Sequence, residues 1–205
     1  DIGCAMGRGG TDVAKGASDM ILTDDNFATG GAAVEQGRGI YANIRKAIHY
    51  LLSCNIGEIL TIFLATLFCF PHPPLSPVQL LWLNLVTDSL PALALGLEPV
   101  EESVMARPPR GKEEPLFSKA FSLRLFWQGA LVGGLTLLAY QLGLILSASY
   151  AVANTMAFAT LTLCQLFHAF DVRSEERSLF HIGVFSNPAM NKAFLAGLGM
   201  QLAVL

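Results

Sequence analysis

An acid in the middle of an apolar run needs a chemical reason, and Asp88 stands in such a run, VQLLWLNLVTDSLPALALGL, from Val78 to Leu97. About twenty residues span a bilayer as a helix, and a charged side chain at the centre costs about 2.5–3.5 kcal/mol or more. Asn84, Thr87 and Asp88 stand at i, i+3 and i+4, so an amide oxygen, a hydroxyl and a carboxylate share one helix face at membrane depth. All are hard oxygen donors, which suit calcium, magnesium, sodium or protons better than soft metals. Pro91 has no N–H for the preceding turn, which predicts carbonyls freed between Leu83 and Thr87 as further donors. In the preceding apolar run Asn55 and Glu58 share a face three residues apart, and the short PHPPLSP connection makes the two runs an antiparallel hairpin with the clusters face to face. A second use stays open: a hydrogen-bonded pair, one acid protonated, that only joins the helices.

The elements that must position these side chains are membrane spans. Hydrophobic residues make up 53% of the 205 and charged residues 14%, and the mean hydropathy is +0.50, too apolar for a soluble domain of this length. Spans are predicted at 47–70, 78–97, 125–146 and 150–170, with a fifth over 193–205. The fold expected is a mainly α-helical transmembrane bundle. Lys and Arg residues precede the first span, lie between the second and third (Arg107, Arg110, Lys112, Lys119 and Arg124) and follow the fourth (Arg173, Arg177 and Lys192), while Pro71–Pro77 and Ser147–Ser149 carry none. The positive-inside rule therefore places the N-terminal region and both long loops in the cytoplasm of a multi-pass protein. No basic patch interleaved with aromatics points to nucleic acid. Cys4, Cys54, Cys69 and Cys164 lack zinc or redox spacing and are expected to be free thiols.

Residues 1–46 differ in composition and read as the tail of a soluble α/β domain. DIGCAM predicts a strand, Gly7–Gly10 a tight turn rather than a phosphate loop, Thr11 the cap of a helix to about Ala17, and MILTD a second strand. Asp24 and Asp25 are expected to cap the next helix rather than to bind a metal. From Phe27 a helical pattern runs without proline through Arg38 and Arg45 into the first span, predicting one long helix linking the soluble part to the bilayer. The loop EPVEESVMARPPRGKEEPLFSKAF, with Pro99, Pro108, Pro109 and Pro115, is expected to be ordered by proline rather than by a helix. Gly129, Gly133 and Gly134 in the third span suggest close helix packing, and Gln128 and Gln141 carry no assigned chemistry. In the fourth span His168 reads as a packing residue, and Gln165 as a weaker candidate ligand than the carboxylates.

DIGCAMGRGGTDVAKGASDMILTDDNF resembles the end of the phosphorylation domain of P-type cation-transporting ATPases, and VQLLWLNLVTDSLPALALGLEP followed by MARPPR resembles the sixth membrane helix and following loop of their calcium-pump branch. The resemblance covers essentially the whole chain and implies membrane helices five to eight and the start of nine, preceded by the tail of a haloacid-dehalogenase-like domain and a stalk helix in residues 1–46. It implies Asn55 and Glu58 as ligands of the fifth helix and Asn84, Thr87 and Asp88 as ligands of the sixth, with Asp88 shared by both sites of two-site calcium pumps. Gln165 stands where such pumps place a glutamate, a departure that bears on the second calcium, while many one-calcium members lack a carboxylate at the position of Glu58. The mixed pattern implies one calcium, or the use of Glu58 for counter-transported protons. Sodium/potassium pumps place an aspartate at the position of Asn84.

The function implied is ATP-driven export of calcium through an aspartyl-phosphate cycle, in the plasma membrane. The alternatives are a sodium- or proton-translocating member of the family, or a passive channel or membrane subunit. Both ends read as cut, so the missing N-terminal part of the same chain joins the bilayer and the transported cation as a partner. The DKTGT aspartate, the nucleotide-binding domain, the GDGxxND magnesium segment and the helix-four glutamate are expected in that part. The sites for ATP and magnesium therefore lie outside these residues, and the chain alone is expected to be inactive.

Overall fold

The computed structural model describes residues 2–109, 111, 118–174 and 178–205. Arg110, Lys112 and Arg177 of the charge reading and Pro115 of the loop lie outside the described residues. The described residues form two compact units, one within 2–42 and 99–109, the other within 43–98 and 111–205.

In the first unit, β1 (Cys4–Met6) and β2 (Met20–Leu22) pair in parallel, Ala5 opposite Ile21, across α1 (Asp12–Ala17). Thr11 caps α1 by accepting the Ala14 amide at 3.2 Å, as its position before an apolar-periodic stretch predicts. The GRGG segment is a tight turn in which a Cβ at Gly10 would stand 2.2 Å from the Met6 carbonyl oxygen, a clash that glycine alone avoids. Contrary to expectation, neither of the two aspartates that follow caps the amides of the next helix; Asn26 does, accepting the Ala28 amide at 3.0 Å. Asp24 accepts the Asn26 amide and the Thr29 hydroxyl, and these bonds hold its carboxyl below the usual carboxylate range, Thr29 contributing most. Asp25, at φ 56°, turns back to the glycine turn and accepts the amides of Arg8 at 2.7 Å and Gly9 at 2.6 Å, so it does not cap the next helix. The loop after the second span contains one turn of 3₁₀ helix (Glu102–Met105) and is held by Arg38, which donates to the Val104 and Arg107 carbonyls at 3.0 and 2.8 Å. Proline is thus not its only source of order.

The long helix forms as one element, α2 (Phe27–Leu67), about 60 Å of helix by its rise per residue. In the second unit, its later part is followed by α3 (Pro77–Trp82), a π turn (Leu83–Thr87) and α4 (Ser89–Gly96), then α5 (Lys119–Ser147), α6 (Tyr150–Asp171), α7 (Leu179–Ile182) and α8 (Pro188–Val204). Helices α2, α3 to α4, α5 and α6 are long and apolar enough to cross a membrane. α8 begins five residues before the predicted span because Asn187 caps it, with Pro188 at its first position. α5 likewise begins earlier than predicted, capped by Ser118. Ile59, Leu81, Leu85, Leu131 and Ile145 face outward, the inverse of a water-soluble surface and the arrangement that lipid tails solvate. The core joins Tyr50 and Cys54 of α2 to Ala94 and Leu95, Ala169 and Phe170, and Met190 and Ala193. α5 approaches α2 closely at Gly133, where an added Cβ would lie 2.9 Å from the Gly57 oxygen; Gly134 faces open space, contrary to the packing role expected of it.

Candidate functional site

The two polar clusters meet as the hairpin geometry requires. Pairs across it run Glu58 with Asn84, Tyr50 with Asp88 and Asn43 with Glu98, numbering falling on α2 as it rises on the partner, the signature of antiparallel neighbours. Glu58 is the organising acceptor: Asn84 Nδ2 donates to one oxygen at 2.7 Å and Gln165 Nε2 of α6 to the other at 2.9 Å. Asp88, 0% exposed, accepts the Tyr50 hydroxyl on Oδ1 at 3.1 Å. Asn55 donates its amide to the Leu51 carbonyl of its own helix at 2.8 Å and is half-buried.

Local backbone explains the presentation of the second cluster. Pro91 signals a disturbed helix, but the freed carbonyls it predicts do not all appear. The helix widens instead into a π turn: the Asp88 amide reaches back five residues to the Leu83 carbonyl at 2.9 Å, and the Ser89 hydroxyl donates to the Asn84 carbonyl at 3.3 Å. The turn buries Thr87 and Asp88 while leaving Asn84 more open.

Three oxygens of this layer are buried without a hydrogen-bond donor: Thr87 Oγ1, Asp88 Oδ2 and Gln165 Oε1. Each such oxygen costs about 1–3 kcal/mol when left unmet. A hydroxyl, a carboxylate and an amide oxygen are the chemistry a hard cation takes, and the carboxylates of Glu58 and Asp88 supply the charge that would draw it from water. Gln165, the weakest candidate from sequence, is drawn in firmly, its nitrogen holding Glu58 and its oxygen free of a donor.

Sequence reasoning missed Tyr50, whose only signal is its place two helical turns before Glu58. It also missed a polar layer in which His49 meets Gln128 at 2.6 Å, Ser53 meets His168 at 2.7 Å, and Gln128 donates to Asp171 at 3.2 Å. The packing role read for His168 agrees with that bond to Ser53. Among the described residues no cluster of His, Cys, Asp and Glu has the form of a transition-metal site, and the four cysteines are free thiols.

Lipid-facing helices around a buried, two-carboxylate oxygen cluster define an integral multi-pass membrane protein with a site suited to a hard cation. The chain belongs to the family described as cation transporting ATPase, C-terminus, whose model matches residues 72–205. Along its whole length it is similar to the calcium-transporting ATPase of Bacillus subtilis (47% identical over 206 residues, 23% of that protein) and to calcium-transporting ATPase 1 of Bacillus cereus (45% over 221, 25% of that protein). The human calcium-transporting ATPase type 2C member 1 is 38% identical over 205 residues, all of this chain and 22% of that protein. The chain thus spans about a quarter of the length of these relatives, and the resemblance read from its motifs holds.

Proposed function

We propose that this chain is the ion-translocating part of an ATP-driven pump that exports calcium from the cytoplasm through an aspartyl-phosphate cycle, with Asn55, Glu58, Asn84, Thr87 and Asp88 as ligands and Gln165 as a further one. The observation that carries the reading is the pair of intramembrane carboxylates, Glu58 and Asp88, set beside buried oxygens that lack donors. The names of the relatives supply the ion: calcium. Asp88 gives a carboxylate oxygen, Thr87 its hydroxyl and Gln165 its amide oxygen; Tyr50 orients Asp88, and the Gln165 and Asn84 amides orient Glu58. Calcium prefers six to eight oxygens, so the rest of the shell comes from elsewhere in the protein.

Residues 1–46 are then the cytoplasmic end of a haloacid-dehalogenase-like phosphorylation domain with its stalk, and 47–205 the membrane domain, in the plasma membrane. ATP and magnesium act in the part of the protein beyond this chain. Phosphorylation there would shift α2 and with it Asn55 and Glu58, exchanging a tight cytoplasm-facing site for a weak outward-facing one. The test is labelling of the complete protein from radioactive ATP in membranes, with calcium, sodium and pH each varied. Calcium-dependent labelling is expected. Labelling that ignores calcium and follows sodium or pH would overturn the ion, and no labelling would overturn the pump.

A further inference from the structure

Four helices of the second unit are tied at one residue, two positions past the end of α4. The backbone carbonyl of Glu98 accepts the amide of Asn43 on α2 at 2.6 Å. Its carboxylate accepts Arg173, two residues past α6, from Nε at 3.1 Å to both oxygens and from Nη2 at 2.7 Å, and it accepts Asn187 Nδ2, the cap of α8, at 2.6 Å. The side chains of Arg173 and Glu98 are 0% and 7% exposed. The remaining donors of Arg173 go to the Gly183 and Val184 carbonyls at 3.1 and 2.7 Å and to the Ser186 hydroxyl at 2.6 Å. Asn187 donates also to the Ala94 carbonyl and caps α8 through the Ala189 and Met190 amides.

A buried ion pair is a poor source of stability, because desolvating both charges offsets most of their attraction; its well-attested use is to fix register. Here the register matters to the candidate site. By helical rise Glu98 lies about 15 Å along its helix from Asp88, Arg173 about 12 Å from Gln165, and Asn43 about 22 Å from Glu58. Helices are stiff over such lengths, so pinning their ends at one point sets the axial positions of the side chains on the far side. We infer that Glu98 is a positioning residue, which through Asn43, Arg173 and Asn187 holds the oxygens of the Glu58–Asp88 layer in the register that binds the cation. The inference rests on the ion-site reading above.

The test uses the complete protein in membranes and two labels. Phosphorylation from ATP reports cation half-saturation, and phosphorylation from inorganic phosphate without the cation reports that fold and phosphorylation site are intact. Glu98→Gln and Arg173→Lys, the latter keeping the charge but losing the fork, are expected to weaken half-saturation about tenfold or more while labelling from inorganic phosphate stays at the wild-type level. A merely structural role lowers both labels together, and that outcome, or unchanged half-saturation, overturns the proposal. Should Glu98→Gln fail to accumulate, Arg173→Lys and Asn187→Ala decide by the same criterion. Wild-type labelling that follows sodium or protons overturns the calcium reading alone, and the variants are then judged on that cation's half-saturation.

Discussion

The Glu58–Asp88 layer and the Glu98–Arg173 node are both buried polar clusters in one apolar bundle, and they differ in how far their hydrogen-bonding capacity is met. At the node every guanidinium nitrogen has an acceptor, and both Glu98 oxygens have donors. In the layer Thr87 Oγ1, Asp88 Oδ2 and Gln165 Oε1 have none. A closed network is rigid and gains nothing from a guest; an open one is stabilised by whatever supplies the missing positive charge. On the reading proposed above, the contrast separates a cluster that holds helices from one with oxygens left open to a cation.

The sharpest way to break this contrast is Asp88→Asn in the complete protein, which removes charge from the open cluster and should abolish cation-dependent labelling altogether; retained calcium dependence would take Asp88 out of the site. Next in size is Arg173→Ala, which strands a buried carboxylate. A cost of about 3–5 kcal/mol is expected, read as a large drop in thermal stability in detergent. An apolar replacement of the whole pair, Glu98→Leu with Arg173→Met, should recover much of that stability without recovering cation affinity. Tyr50→Phe removes one hydrogen bond from Asp88 and is expected to weaken cation half-saturation two- to tenfold, from about 0.5–1.5 kcal/mol, with maximal labelling unchanged.

The smallest effect lies outside the bundle. The carboxyl of Asp24 is held below its ordinary range in the folded protein, so its contribution is fully present above the unfolded carboxylate pKa and is lost as pH falls through the lowered folded value. Asp24→Asn should therefore speed amide hydrogen exchange at the start of α2 near neutral pH, and the difference from wild type should vanish in acid.

The open cluster was the more legible of the two from sequence, and the reason is energetic. Glu58 and Asp88 stand out because acids are rare in spans, and helical spacing with the short PHPPLSP loop is enough to bring them together. Tyr50 was not legible, since an amphipathic aromatic in a membrane helix carries no mark of its partner. Pro91 announced a disturbed helix without saying how the disturbance would be met, which the π turn and Ser89 decide. The node was hidden for a different reason. Glu98 and Arg173 are 75 residues apart and sit just past the ends of spans, where charges read as solvated loop or as topology markers, and only tertiary packing makes them a pair. Asn187 had a local signal, an asparagine before Pro188, but that predicts only a cap.

The most direct test of an open cluster beside a closed one is equilibrium binding of radiolabelled calcium to the complete purified protein, comparing wild type, Asp88→Asn and Glu98→Gln. The account predicts that Asp88→Asn shows no saturable binding while Glu98→Gln reaches the wild-type stoichiometry at weaker affinity. Wild-type stoichiometry in Asp88→Asn, or lost stoichiometry in Glu98→Gln, would contradict it.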